Sequence, residues 1–558
     1  MKCPLCGQEI PDESKFCTYC GRNVHEKIEE ADNKKIDNGT DSEAAYGASD
    51  KNSNKGIYML IAAVGATIAA IVILSVLIIT HKPDESLQEA LSENVQSEMD
   101  EAKEDNAESV GAAETPEATA PSEDIEQQSD EANLSDVLVT APADSLALRM
   151  SPGFDDDDIA QLPAGCYLLW DGETVTENEH DFYKVTVEES GEIGYVAADY
   201  CIPVDYRYDS DLLSIVDISD VLYTYDEMQE DIKALCNAYT CLSYEVIGNS
   251  VDGRKLYEVT LGAPDAAHHI FVQAAIHGRE YMTAQLVMRM LEYYAVNYEC
   301  GSYKGKSYQE LFSSTAIHVI PMSNPDGVTI SQLGVDAMNH EEIRQLVYEC
   351  YLRDRNDLVW EEDSNGDMNW ADYYKKPDYD RVAEGKTEII SFEEYQKIWK
   401  SNAKGVDLNN NFDAGWVEID VKQYPAYGSY KGEYAVSEPE AQALVQKATE
   451  REYDCFISYH SKGQLIYYDV NGNDEQTSEL SYGLASTLES LLKYKPVNTQ
   501  SAYNVNLGGF SDWIQLGLHR PSVTIESGKH PCPLAISEFD AIWFRHRESW
   551  AMLCEMLS

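Results

Sequence analysis

Positive charge is scarce in this chain: 558 residues carry 41 Lys+Arg against 99 Asp+Glu, a formal net charge of −58. No Lys/Arg-rich block interrupts the acidic excess, so nucleic acid and other polyanions would be repelled rather than bound. Cysteine is sparse too. Thirteen cysteines are too few for a disulfide-built scaffold of this length, and four of them fall within the first 20 positions. With 43% hydrophobic content, the chain is long enough for several domains rather than one compact unit.

Charge of either sign is missing from one stretch. From Ile57 to Thr80 the chain reads IYMLIAAVGATIAAIVILSVLIIT, and at about 1.5 Å per residue such a helix spans a hydrocarbon core of roughly 30 Å. Residues 56–81 therefore read as a transmembrane helix. A cleaved signal peptide has a shorter apolar core close to the N-terminus, and a buried core helix shows a polar stripe. Lys51 and Lys55 before the run, against Lys82 after it, bias the N-terminus toward the cytoplasm.

The N-terminus strengthens that orientation. Cys3, Cys6, Cys17 and Cys20 form C-x2-C-x10-C-x2-C, with Gly7 and Gly21 permitting tight turns. Two such knuckles bring four thiolates around one structural zinc, and residues 1–24 resemble a small bacterial zinc ribbon. Redox dithiols or two disulfides are the alternative for the same spacing. Thiolate ligation needs a reducing compartment, so the ribbon and its partner belong in the cytoplasm and the bulk of the chain outside the cell membrane.

Residues 25–55 are a polar linker, and residues 82–140 are rich in Glu, Asp, Ala and Ser with almost no aromatics. The second segment cannot bury enough surface to fold and reads as a disordered, self-repelling spacer. Short alternating runs separated by Gly, Asp and Pro turns occupy 141–205, as a small all-β barrel requires. Leu148-Arg149 leading into Ser151-Pro152, Leu162-Pro163 with Gly165, Tyr183-Lys184-Val185 and Gly194-Tyr195-Val196 resemble the bacterial SH3-like domain. Such a module contacts cell-wall peptides or glycans, or serves as a packing spacer.

Residues 206–558 alternate strand-like and helix-like runs, the pattern of a large α/β domain. Active groups in such sheets gather beyond the carboxyl ends of strands. HHIFVQAAI runs into His277-Gly278-Arg279-Glu280, AIHVIPM into Asn324-Pro325-Asp326-Gly327, YDCFISY into His460, and PSVTI into Glu526. His277, Glu280 and His460 make a two-histidine, one-carboxylate set that leaves a position open for water. Glu526 adds a carboxylate able to take the water's proton and return it to a leaving amine.

HGRE, NPDG, GVDLNNNF, SEPEA, SYHSKGQ and TIESG occur in the order seen in the zinc carboxypeptidase family, which residues from about Tyr223 to the C-terminus resemble. The resemblance implies an α/β/α fold with a mixed, mostly parallel eight-stranded sheet. It implies catalytic zinc on His277, Glu280 and His460, Glu526 as general base and acid, and Arg279 orienting or polarising the substrate carbonyl. It also implies an oxyanion-stabilising cation after a Trp, here Lys400 after Trp399. Where the family has Asn-Arg for a substrate's terminal carboxylate, this chain has Asn409-Asn410, and asparagine lacks arginine's charged fork. Asn409 and Tyr503 are the substrate-binding candidates, Tyr503 lying one residue off the family's position.

Between Asn324 and Asp407 the chain is longer than a minimal family member, and the added segment is expected over the cleft rim as a source of specificity. Asp363, Asn365, Asp367 and Asn369 alternate faintly like a calcium loop, but glycine and the distal glutamate are out of register, so a polar acidic loop is expected. The expectation is a membrane-anchored, extracytoplasmic zinc metallopeptidase acting as a carboxypeptidase or on murein stem peptides. An inactive peptidase-like binding or sensing protein is the alternative from another class.

Overall fold

The computed structural model describes residues 137–142, 145–154, 158–204, 210–362, 367–372, 389–498 and 507–558. The four N-terminal cysteines, the 56–81 span, most of the acidic linker, Asp363, Asn365 and Tyr503 lie outside the described residues. Among the described residues no helix is long and apolar enough to cross a membrane. No disulfide joins the nine cysteines from Cys166 to Cys554.

Seven short strands form the first sheet: β1 (Val137–Thr140), β2 (Leu146–Arg149), β3 (Asp158–Leu162), β4 (Tyr167–Glu177), β5 (His180–Val187), β6 (Ile193–Ala197) and β7 (Cys201–Pro203). Their order is β3-β2-β6-β5-β4-β1-β7, antiparallel throughout. Leu148, Leu168, Phe182 and Val196 form its core. β1 lies ahead of the expected boundary at 141: VLVT pairs with both β4 and β7, so residues 137–140 are part of the sheet. The reason is local, since Val-Leu-Val-Thr, three apolar residues and a β-branched threonine, can pair on both sides within a sheet as a solvated spacer cannot.

This sheet does not stand apart from the C-terminal domain. Val137, Val139, Ile202 and Val204 are buried in the same cluster as that domain's core. Arg545, 4% exposed, donates to the carbonyls of Ala141, Asp199 and Leu492 and ties the two parts together.

The second sheet is built from β8 (Leu242–Asn249), β9 (Lys255–Leu261), β10 (His268–Ala274), β13 (Thr315–Ile320), β16 (Cys455–His460), β17 (Leu465–Asp469), β18 (Lys495–Asn498) and β19 (Ser522–Glu526). Two small hairpins account for β11 (Ser302–Tyr303) with β12 (Lys306–Ser307) and β14 (Leu358–Glu362) with β15 (Met368–Asp372). The order of the large sheet is β18-β17-β19-β16-β10-β13-β9-β8. β10 runs parallel to both β13 and β16, β16 parallel to β19, and the outer β9 and β8 are antiparallel.

Pleating sorts the central strand's residues into two cores. Ile270 and Val272 of β10 pack in one apolar cluster with the helix Met282–Val296, while Phe271 between them packs in another with Leu444 of the helix Pro439–Glu450. Helices cover both faces, giving the expected α/β/α layers and the mixed eight-stranded sheet. After β10 the chain first builds β13, β9's neighbour, and later returns to build β16 on β10's other side, so the crevice between β10 and β16 is a topological switch point.

Candidate active site

His277 and His460 straddle that switch point. β10 ends at Ala274, and Ala275 turns the chain out of the strand with a left-handed φ of 49°. His277 and Glu280 come next on a single 3-10 turn, Gly278–Glu280. Across the crevice His460 is the last residue of β16, and parallel register sets it directly beside Glu526, the last residue of β19. Neighbouring strands lie about 4.8 Å apart, so this register alone brings the fourth group to the other three.

His277 Nδ1 lies 2.8 Å from Glu280 Oε1 and His460 Nδ1 lies 3.1 Å from Glu280 Oε2. Ser461 donates its backbone N–H to Glu280 Oε2 at 3.1 Å. All three metal-ligand candidates are at least nine-tenths buried, and one donor atom from each lies within 4.8 Å of the others. No other cluster of this kind occurs among the described residues. Two imidazoles and one carboxylate are the donor set of an open zinc site, so the residues present fit the metal.

Burial would raise the Glu280 carboxyl, but the two imidazoles hold it well below the usual carboxylate range. Burial lowers His277, and Glu280 and Asp407 more than offset it. Glu526 moves the other way. Desolvation, reinforced by Glu280, pushes it up to about 7 against the pull of His460, Lys400 and Arg279. Lys400 Nζ sits 3.5 Å from Asp407 Oδ2.

Asp407 is the residue that sequence reasoning passed over. Its Oδ1 is 3.3 Å from His277 Nε2, on the far side of the ring from Glu280, and its Oδ2 accepts from the Ser429 N–H at 2.9 Å. A buried carboxylate facing Nε2 favours a proton there, leaving Nδ1 as the ligand atom. The available signal was its place at the head of the D-L-N-N-N run.

The NPDG segment builds the site without entering its chemistry. Asn324 donates through Nδ2 to the carbonyls of Ile276 and Lys400 at 3.0 and 3.2 Å, and the Gly278 N–H reaches the same Lys400 carbonyl at 3.0 Å. Two glycines let these backbones meet. A Cβ on Gly278 would fall 2.4 Å from the Gly327 carbonyl, and one on Gly327 would fall 2.4 Å from the Ser401 carbonyl. Asp326 is spent elsewhere, paired with Arg254 at 2.9 Å.

Asn409 is tied to the G-G-F-S-D-W turn, its Oδ1 accepting from the Phe510 N–H at 3.0 Å, and Asn410 is buried. Asp367 meets His530 Nδ1 at 3.1 Å.

The zinc carboxypeptidase family profile matches residues 228–548, and a zinc-ribbon domain profile matches residues 2–24. The chain is 27% identical over 324 residues to the gamma-D-glutamyl-L-diamino acid endopeptidase 1 of Lysinibacillus sphaericus, covering 58% of this chain and 69% of that protein. It is 23% identical over 304 residues to carboxypeptidase A1 of Bos taurus, covering 52% and 58% respectively. Among solved structures, the murein-tripeptide amidase MpaA of Escherichia coli O157 aligns with a TM-score of 0.32 and 20% identity, over 56% of this chain and 91% of that one.

Proposed function

The chain belongs to the zinc carboxypeptidase family, and from that premise we propose that it is a zinc metallopeptidase that cuts murein stem peptides at a γ-D-glutamyl bond to a diamino acid. The observation that carries the peptidase reading is the meeting of His277, Glu280 and His460 with Glu526 across the switch point. Bound there, zinc supplies Lewis-acid polarisation of a carbonyl and a lowered pKa for water.

The chain's own residues do the rest. Glu526 accepts a proton as a water oxygen bonds to the scissile carbonyl carbon, then passes that proton to the departing amine nitrogen as the C–N bond breaks. Arg279 orients the carbonyl, and a Lys400 cation stabilises the negative charge that develops on its oxygen. Asp407 holds His277 in register for this.

Three features favour the cell-wall substrate over an ordinary C-terminal residue. The Lysinibacillus sphaericus relative is a gamma-D-glutamyl-L-diamino acid endopeptidase. Asn410 stands where the family has an arginine for a free terminal carboxylate. The N-terminal ribbon and the 56–81 apolar run support a single-pass anchor with the enzyme outside the membrane, and the seven-stranded sheet supports an SH3-like module beside it. Purified stem peptides and ordinary peptides are to be digested side by side with the full chain, because the first sheet shares the enzyme's core. Mass spectrometry is expected to show cleavage after the D-glutamyl residue. Stepwise loss of C-terminal residues from ordinary peptides alone would favour a carboxypeptidase instead, and no cleavage of either would favour a binding protein.

A further inference from the structure

The added segment between Asn324 and Asp407 brings two indoles to the candidate active site. In the β14–β15 hairpin Trp360 and Trp370 are directly opposed in register, their ring centroids 5.4 Å apart. Together with Met368 they line a cavity of ≈ 230 Å³ that Arg279, Ser461 and Lys462 also line. Arg279 precedes Glu280, and Ser461 donates its backbone N–H to Glu280, so two of the cavity's lining residues adjoin a metal-ligand candidate.

The hairpin is anchored there, since Asp367, directly before β15, meets His530, four residues past the strand that ends in Glu526. Trp360 keeps 45% of its surface exposed, although it faces another aromatic ring. The buried Nε of Arg279 has no hydrogen-bond partner among the described residues. In a chain of net charge −58, the residues lining this cavity include two cations and no carboxylate.

We propose that this cavity is a specificity subsite for a substrate residue that has an apolar stem and a free carboxylate and lies next to the scissile bond. Trp360 and Trp370 pack the stem, and Lys462 takes the carboxylate. The cavity is smaller than the roughly 300 Å³ lower limit of drug-sized sites, which suits one residue rather than a long peptide. This rests on the peptidase reading above and deepens it: a D-glutamyl residue joined through its γ-carboxyl presents its α-carboxylate as such a branch.

The test uses binding, so that it does not depend on turnover. Calorimetry and tryptophan fluorescence on the full-length, zinc-loaded Glu526→Gln chain compare N-acetyl-γ-D-glutamyl-L-lysine with its α-carboxamide. The acid is expected to bind about tenfold more tightly than the amide, as a charge-assisted contact requires. Lys462→Gln abolishes that preference. Trp360→Ala weakens both ligands and removes the fluorescence change, and Trp360→Phe restores part of the affinity. Equal binding of acid and amide, no binding of either, or an undiminished preference in Lys462→Gln overturns the subsite. Failure of the peptidase reading looks different: the unsubstituted chain would leave the peptide uncut while the acid preference persists.

Discussion

β10 carries histidines at both of its ends, and the two ends have opposite fates. Beyond its carboxyl end, His277 shares Glu280 with His460, and the three donors converge on one point. At its amino end, His269 Nδ1 lies 3.1 Å from His318 Nε2, and His318 Nδ1 lies 3.0 Å from Glu258 Oε1. Glu258 Oε2 in turn lies 3.3 Å from Lys447 Nζ. Both clusters hold two imidazoles and a buried carboxylate. The amino-end groups are strung out in a line whose positive charge comes from Lys447, whereas the carboxyl-end groups face inward around a point where a metal fits. Residue type does not decide between a structural relay and a metal centre; convergence does, and strand ends at a switch point supply it.

Substitution has its largest expected effect at the carboxyl end. Glu526→Gln should lower turnover of whichever peptide is cut by about 10²–10⁴-fold, the contribution of a positioned general acid–base, while the chain still binds one catalytic zinc. His460→Ala should lose both the activity and that zinc, and His318→Ala should lose neither. Initial rates with metal analysis of each purified variant check all three. An active Glu526→Gln enzyme, or zinc loss in His318→Ala, would put the chemistry at the wrong end.

At the amino end the expected effect is on stability. Lys447 is 3% exposed at its side chain and also pairs with Glu245 at 2.6 Å and Glu450 at 2.5 Å. Burial raises Glu258, yet His318 and then Lys447 hold it below the ordinary carboxylate range. Lys447→Met leaves that buried carboxylate with one counter-charge fewer, and breaking a buried pair in this way costs about 3–5 kcal/mol. Denaturant unfolding should show the loss with zinc content unchanged.

The sequence makes the carboxyl end readable and leaves the amino end nearly silent. His277, Glu280, His460 and Glu526 are legible because each closes an apolar run, and a strand's end is marked in one dimension. The alternation of strands and helices likewise foretells the α/β/α sandwich. Asp407 escapes notice because its partner is 130 positions away and the contact exists only after folding. The same holds for the Gly278–Gly327–Ser401 stacking, where a short backbone approach leaves no pattern beyond two glycines. Val137–Thr140 reads as spacer because four residues after an acidic run form a strand only when β4 and β7 are there to pair. The relay from Lys447 to His269 spans strands β9, β13 and β10 and a helix, so no local spacing could announce it.

The subtlest expected difference between the ends is in their response to pH. His269 has its pKa lowered, first by burial and then by His318 and Arg451, while Asp454 opposes them and His268 adds to the lowering. A histidine whose folded pKa lies below its unfolded value of about 6.5 binds fewer protons in the folded chain. Folding stability is thus intact above that value and declines as pH falls through it, because the unfolded chain takes up the proton first. His269→Gln should therefore flatten the loss of stability between neutral and mildly acidic pH, with little change at about pH 8, where the imidazole is neutral in both states. Chemical denaturation of both chains across that range measures the slope. An unchanged slope in His269→Gln would mean that the proton is taken up elsewhere in the relay, and that the amino end is held by Lys447 and Glu258 alone.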